Sequence, residues 1–242
     1  MVGELDVLRI VSERLAAAGI HYMLTGSYAM AFYATPRMTR DLDLVVELRQ
    51  DDVVKITQAF SNEFYVDADD VRTAIASQRM FNLMHLASGI KVDLIVCKQG
   101  EYRQVEFARR RQVTMAGVST WIVTAEDLIL SKLLWAMDSG SELQMRDVRS
   151  LLGEGVDPDN DTSEKIAALV EERHRRMTTD ERVIIAARMF DTARAIVESS
   201  LPADLSPRDR RLSLVRRLYG DEISEAAKVA FADWPVDHFS NR

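Results

Sequence analysis

The sequence has little cysteine, no clustered histidine and no excess of positive charge. A single cysteine, Cys97, excludes an internal disulfide and a cysteine-based zinc site. The four histidines are scattered without the spacing of metal ligands, which argues against a histidine metal site. With 31 basic and 38 acidic residues the net charge is −7, which argues against binding of nucleic acid through bulk positive charge.

The sequence also has no continuous apolar run of the kind that spans a membrane. The stretch from Leu15 to Pro36 carries no charged side chain and is long enough to cross a bilayer. Gly19, His21 and Gly26 break it into shorter pieces, which indicates a helix end, a buried strand and a second helix start. Charged residues crowd the first turns of the chain, so we expect no secretory signal and no membrane partner. We therefore expect a cytoplasmic protein.

The periodicity of the apolar residues divides the chain into two parts. Up to Val123, strand patterns alternate with helical patterns, which indicates an α/β (α+β) domain over residues 1–152. Turn-forming residues follow, so we expect a linker and connecting helix over residues 153–176. Every later segment is helical, which predicts an all-α C-terminal module over residues 177–242. Capping signals at Thr124, Thr178 and Ser206 mark three of the predicted helix starts.

Two aspartates mark the most informative part of the sequence. Asp41 and Asp43 lie two positions apart on a predicted strand, so both carboxylates point to the same face of the sheet. Two carboxylates that lie close together raise each other's pKa unless a cation lies between them. A metal ion would keep both ionised, and hard oxygen ligands favour Mg²⁺, with Mn²⁺ as the alternative ion.

A glycine and a serine precede these aspartates at the start of a predicted helix. Glycine at position 26 lets the backbone approach a ligand closely, and the helix N-terminus offers free N–H groups to a phosphate. Ser27 can add a hydroxyl group. Arg37 and Arg40 lie between this turn and the aspartates, so they are candidates to balance phosphate charge. The pattern predicts a nucleotide-binding site formed by Gly26, Ser27, Arg37 and Arg40.

A third carboxylate, Asp93, lies among hydrophobic residues of a later predicted strand. A buried carboxylate without a partner is costly, so this position needs a metal ion or another cation. The alternative is an exposed position on an edge strand. Two metal ions held by three carboxylates could activate a hydroxyl group for in-line attack on an α-phosphate and stabilise the leaving pyrophosphate.

Together these residues resemble the core pattern of the DNA polymerase β-type nucleotidyltransferase superfamily. More narrowly, Gly26-Ser27 with Arg37-x-Thr39-x-Asp41-x-Asp43 is similar to the AbiEii-like nucleotidyltransferases, the toxin-type enzymes of type IV toxin–antitoxin systems. The resemblance covers about residues 5–152. It implies a nucleotidyltransferase fold, in which a mixed β-sheet is flanked by helices.

The resemblance also implies roles for single residues. Asp41 and Asp43 would bind the metal, and Asp93 would be a metal ligand or the general base. Two further family motifs match Lys132 and Asp147 on predicted helices. Lys132 would bind the nucleoside triphosphate (NTP), and Asp147 would orient Lys132 or the acceptor. Read without the resemblance, these two positions also fit a solvated lysine and a surface salt bridge.

The activity implied by the resemblance is transfer of a nucleoside monophosphate from an NTP to an acceptor hydroxyl. A toxin-like role implies tRNA or a protein as the acceptor, and an antitoxin as a further partner. One alternative is an interaction or regulatory protein that keeps the fold but has weak catalysis. Another is an antibiotic-modifying enzyme, which needs an acidic pocket for a cationic small molecule.

The helical C-terminal region gives a separate hypothesis, in which residues 177–242 are a fused partner or regulatory module. The sequence leaves open which NTP is used and what the oligomeric state is.

Overall fold

The computed structural model describes residues 2–153, 172–173 and 176–235. Helices α1 to α7 span Glu4–Ala17, Gly26–Tyr33, Val53–Phe60, Ala68–Ser77, Glu101–Ala108, Ala125–Ser139 and Glu142–Leu151. Helices α8 to α10 span Thr179–Ser199, Pro207–Tyr219 and Glu225–Asp233. Strands β1 to β7 span Tyr22–Leu24, Asp41–Val46, Phe64–Tyr65, Met80–His85, Lys91–Val96, Arg111–Met115 and Val118–Ile122.

The strands form one seven-stranded mixed sheet in the order β3-β4-β5-β2-β1-β7-β6. Strand β2 runs parallel to β5, and β1 runs parallel to β7, whereas the other neighbouring pairs are antiparallel. The prediction of a mixed α/β architecture is confirmed. The parallel pair β2–β5 lies in the middle of the sheet, and its register places Asp43 beside Asp93.

The alternating pattern of β2 explains why this strand forms and which face it buries. Leu42, Leu44 and Val46 are buried on one face, whereas Asp41 and Asp43 lie on the other face and are only partly exposed. Side chains in a strand alternate between the two faces, so burial of the leucines fixes the direction of both aspartates. Packing of the core therefore positions the carboxylates.

Helix capping follows the sequence signals. The side chains of Thr124, Thr178 and Ser206 each accept a hydrogen bond from a backbone N–H in the first turn of α6, α8 and α9. Helices α4 and α5 and the short strand β3 were not predicted from the sequence. Among the helices in the described ranges, none combines the length and the apolar composition that a membrane span requires.

The C-terminal helices share one hydrophobic core with the sheet. Val183 and Phe190 of α8, Leu214 of α9 and Phe231 of α10 belong to the same buried cluster as the strand residues. Helix α8 packs against α2, next to β2. The domain boundaries at 152 and 177 stay a prediction, and most of the predicted linker and connecting helix lies outside the described residues. In the described part, the helical region and the sheet are packed as one body.

A buried histidine lies where the β4–β5 connection meets the rest of the core. His85 has no exposed surface, its Nδ1 lies 2.8 Å from Ser88 Oγ, and its ring packs edge-on against Phe64. Burial, together with the nearby Arg14 and Arg194, lowers the pKa of His85 from 6.5 to about 4. The folded protein therefore keeps this imidazole neutral at pH values where the unfolded chain protonates it.

We expect His85 to make folding stability depend on pH. Because the unfolded chain binds this proton more tightly, the contribution of neutral His85 is fully present above pH 6.5 and decreases as the pH falls towards about 4. The full loss amounts to about 3 kcal/mol. His85→Gln should flatten this dependence in urea unfolding measured across that range, whereas His21→Gln, at an exposed position, should keep it. Identical pH dependence in wild type and His85→Gln would contradict the prediction.

Candidate active site

The structure brings three carboxylates together on one face of the sheet. One oxygen from each of Asp41, Asp43 and Asp93 lies within 4.8 Å of the others. Two features of the sheet cause this. The alternation of β2 places Asp41 and Asp43 on the same face, and the parallel register with β5 places Asp93 next to Asp43. Oxygen atoms at this spacing suit a hard divalent cation such as Mg²⁺.

The carboxylates repel one another, and burial strengthens this effect. Burial, followed by the charges of Asp41 and Asp93, raises the pKa of Asp43 from 3.8 to about 8. Burial also raises the pKa of Asp93, although Lys91 and Asn82 oppose this shift. Close approach of a cation would favour the ionised form of both groups.

Lys91 supplies a cation inside this cluster, and the sequence analysis did not single it out. Its side chain is 3% exposed, and its Nζ lies 2.9 Å from Asp93 Oδ2 and 3.2 Å from Asp41 Oδ2. Burial lowers the pKa of Lys91, but the contacts with Asp93 and Asp41 outweigh burial and raise it above the ordinary value. The signal was present in the sequence, because Lys91 precedes Asp93 by two positions and so shares its face of β5.

Two polar side chains orient the carboxylates further. The hydroxyl of Thr39 donates to Asp41 Oδ1 at 3.0 Å. The side-chain amide of Asn82, on the neighbouring strand β4, donates to Asp93 Oδ1. Both Asp41 and Asp93 thus have one oxygen bonded to a neutral donor and the other to Lys91. This arrangement restricts the rotation of the two carboxylates.

The start of α2 lies directly against the acidic cluster. Gly26 adopts a φ of +66°, and a Cβ at this position would overlap the carboxylate of Asp43. Only glycine fits this approach without movement of Asp43. Ser27 follows in the first turn of α2, so the helix N-terminus lies beside Asp43, and the hydroxyl of Ser27 contacts Arg37. A helix N-terminus with free N–H groups attracts phosphate oxygens.

A second charged network lies beside Ser27 and centres on Asp147. Its carboxylate accepts two hydrogen bonds from Arg37, each 2.9 Å long, and one from Lys132 Nζ at 2.6 Å. Arg37 also donates to the hydroxyl of Ser27, and Lys132 donates to Gln144 Oε1 at 3.2 Å. Asp147 is 1% exposed and Lys132 is 3% exposed. The structure thus joins the predicted residues of α2, α6 and α7 in one network.

Burial is the main influence on the pKa of Lys132. Together with the charge of Arg37, it lowers that pKa from 10.5, although Asp147 and Asp43 oppose the shift. Asp147 pairs with both Arg37 and Lys132, and Lys132 lines the cavity together with Asp43.

Arg40 is placed differently from the other predicted nucleotide-binding residues. Its guanidinium donates to the backbone carbonyl of Leu218 at 2.7 Å and to Glu222 Oε1 at 2.8 Å. Both partners belong to the C-terminal part of the chain, in α9 and just after it, whereas Arg37 bonds to Ser27. The structure groups Arg37 with the phosphate-binding candidates and groups Arg40 with the C-terminal helices.

A cavity of about 290 Å³ opens next to these networks. Gly26, Asp43 and Lys132 line it at the end near the carboxylates. Its walls further from the cluster include Val45, Ile95, Leu128, Leu134 and Trp135, which are apolar. Trp135 is 60% exposed, which is unusual for a large aromatic side chain and places an accessible ring at the cavity. The cavity thus has charged groups near the carboxylates and a mixed wall beyond them, where these apolar side chains lie among charged ones such as Arg103, Glu106 and Asp138.

Comparison with protein families identifies the chain. The model of the family described as "Nucleotidyl transferase AbiEii toxin, Type IV TA system" matches residues 9–212, which is well over half of the chain. The chain belongs to the AbiEii nucleotidyltransferase family. The family resemblance that the motifs indicated is confirmed, and the matched range extends beyond residue 152 into α9.

Solved structures similar to this AbiEii family member are also nucleotidyltransferase-like. An antigenic nucleotidyltransferase-like protein from Paracoccidioides brasiliensis is 18% identical, with a TM-score of 0.45, and the match covers 75% of this chain and 94% of that one. The lincosamide antibiotic adenylyltransferase LnuA, lincomycin-bound, is 14% identical, with a TM-score of 0.42, over 63% and 98%. All TM-scores here are below 0.5, so the assignment rests on the family match. No curated protein matches the chain.

We expect the Asp147 network to contribute strongly to stability. Asp147→Ala leaves the buried ammonium of Lys132 without its carboxylate partner, which should cost about 3–5 kcal/mol of unfolding free energy. Asp69→Ala is a matched control, because Asp69 pairs with Arg72 on the surface and its side chain is 87% exposed. That control should cost less than about 1 kcal/mol. Urea unfolding measures both values, and equal losses for the two variants would contradict the expectation.

Proposed function

We propose that this chain transfers a nucleoside monophosphate from an NTP to an acceptor hydroxyl with the help of Mg²⁺ or Mn²⁺. Its family supports nucleotidyl transfer in general. The observation that carries the proposal is the cluster of Asp41, Asp43 and Asp93 beside the glycine–serine turn. The acceptor is RNA, such as tRNA, or a protein, and the role is that of a toxin in a type IV toxin–antitoxin system.

The donor set of the cluster fits a divalent metal. Three carboxylates offer only oxygen ligands, and the cavity beside Asp43 leaves access for a phosphate oxygen. Asp41, Asp43 and Asp93 would hold the ion, which when bound polarises the α-phosphate and lowers the pKa of the acceptor hydroxyl. Asp93 would serve as a metal ligand or as the general base, and its two oxygens also accept hydrogen bonds from Asn82 and Lys91.

The remaining residues would bind and orient the triphosphate. The N-terminus of α2 and the hydroxyl of Ser27 offer donors to phosphate oxygens, with Arg37 beside them. Lys132 lines the cavity and adds a positive charge whose direction Asp147 fixes. Arg40 remains a weaker candidate, since its guanidinium contacts Leu218 and Glu222, whereas that of Arg37 contacts Ser27. The apolar part of the cavity, with Trp135, would receive the nucleobase.

A transfer assay with each α-labelled NTP tests the activity. Wild-type protein with Mg²⁺ and total cell RNA or protein should transfer label to one of these acceptors. Asp41→Asn should lower transfer more than about 100-fold, because a metal ligand is lost. Asp51→Asn, at an exposed position on the short turn before α3, is the matched control and should retain activity.

The acceptor class follows from the same assay. Label in RNA supports an RNA acceptor such as tRNA, and label in protein supports a protein acceptor. Label only in added antibiotic would favour the small-molecule enzyme instead. No transfer under any condition, or equal transfer by wild type and Asp41→Asn, would contradict the enzymatic proposal and favour an interaction protein.

Growth of the producing cells tests the toxin role separately. Induced expression of the wild-type chain without an antitoxin should slow growth, because an essential acceptor would be modified. Asp41→Asn at the same expression level should leave growth close to that of cells with an empty vector. Equal inhibition by both proteins would show that the effect does not depend on nucleotidyl transfer.

A further inference from the structure

Lys91 occupies a position inside the carboxylate cluster that a cation must fill. Its Nζ contacts three carboxylates from separate parts of the chain, namely Asp93 at 2.9 Å, Asp41 at 3.2 Å and Glu222 at 3.3 Å. The side chain is 3% exposed, so these contacts replace solvation by water. An ammonium group in this environment is held by the surrounding charges and is costly to displace.

The C-terminal helices hold Lys91 in this position. Glu222 follows α9 and accepts from both Lys91 and Arg40. The hydroxyl of Tyr219, at the end of α9, accepts from the backbone N–H of Lys91 and donates to the carbonyl of Arg40, each at 3.2 Å. Tyr219 is 1% exposed. Lys91, at the start of β5, and Arg40, just before β2, are thus both hydrogen-bonded to Tyr219 at the end of α9.

Lys91 also contacts one oxygen of each of two carboxylates that a second metal ion would share. Asp41 and Asp93 each give Oδ2 to Lys91, while their Oδ1 atoms accept from Thr39 and Asn82. Asp43 is the carboxylate that faces Gly26 and lines the cavity. A metal ion approaching from the cavity therefore meets Asp43 first and would share the carboxylates of Asp41 and Asp93 with Lys91.

The charge balance agrees with this geometry. Three ionised carboxylates carry −3, and the ammonium of Lys91 reduces the total to −2. One divalent ion then neutralises the cluster, whereas two would leave a total charge of +2, with Lys91 included. Glu222 does not change this balance, because Arg40 compensates its charge.

We propose that Lys91 takes the place of one of the two metal ions, so that the nucleotide-free protein binds a single divalent ion. The inference rests on the proposed metal-dependent function. It also assigns the C-terminal helices a part in the active site, through Tyr219 and Glu222. Lys91 acts as a positioning residue that holds Asp41 and Asp93.

Counting bound Mn²⁺ tests the proposal without any measurement of activity. The full chain, freed of metal, is titrated with Mn²⁺ in the absence of nucleotide, and free Mn²⁺ is followed by electron paramagnetic resonance. Wild type should bind one ion per chain, and Lys91→Met should bind two. Lys228→Met is the matched control, because Lys228 is also 3% exposed but pairs with Glu225 on α10, and it should bind one ion.

The outcomes separate this inference from the proposed function. Two ions per wild-type chain would overturn the inference but not the proposed transfer activity. Absence of any bound ion would overturn the inference and would also weaken the proposal of a metal-dependent function. One ion in both wild type and folded Lys91→Met would overturn it as well, since removal of the ammonium would not have opened a site. If circular dichroism shows that Lys91→Met is unfolded, Lys91→Gln takes its place with the same expected count.

Discussion

Repulsion among three carboxylates is the constraint on which the rest of this structure depends. Asp41, Asp43 and Asp93 are brought within 4.8 Å by two neighbouring parallel strands whose other faces are buried in the core. The cluster is therefore fixed by packing and cannot relax by moving apart. Lys91 reduces the repulsion inside the cluster, but burial, followed by the charges of Asp41 and Asp93, still raises the pKa of Asp43. Such a site favours any divalent cation that can reach it.

Positive charge is arranged around this cluster in two separate places. On the cavity side, Asp147 holds Arg37 and Lys132 next to Ser27, where a triphosphate would need them. At the C-terminal helices, Glu222 pairs with both Arg40 and Lys91, and Lys91 contacts the carboxylates of Asp41 and Asp93. Each of these four cations has an acidic partner, Asp147 or Glu222, outside the cluster of three aspartates. Its position is therefore set before any ligand binds. Preorganisation of this kind lowers the cost of binding a polyanion.

The C-terminal helices are more closely joined to the candidate active site than the sequence suggests. Their apolar residues share the core of the sheet, and Tyr219 bonds to the backbone on both sides of the cluster. The matched family range also continues into α9. A fused partner or regulatory module over residues 177–242 remains a prediction, and the described contacts indicate that such a module would act on the site directly.

The sequence alone determined the residues that depend on local pattern. Alternation along a strand predicted that Asp41 and Asp43 share a face. The glycine–serine turn predicted the start of α2, and the cap residues predicted the starts of α6, α8 and α9. These signals act between residues that are only a few positions apart. Only the tertiary structure decided the partners of the charged groups. Arg37 meets Asp147 across 110 positions and Lys91 meets Glu222 across 131, distances over which no local pattern links two residues. For the same reason the placement of Arg40, away from Ser27, followed from packing of the C-terminal helices and could not be predicted.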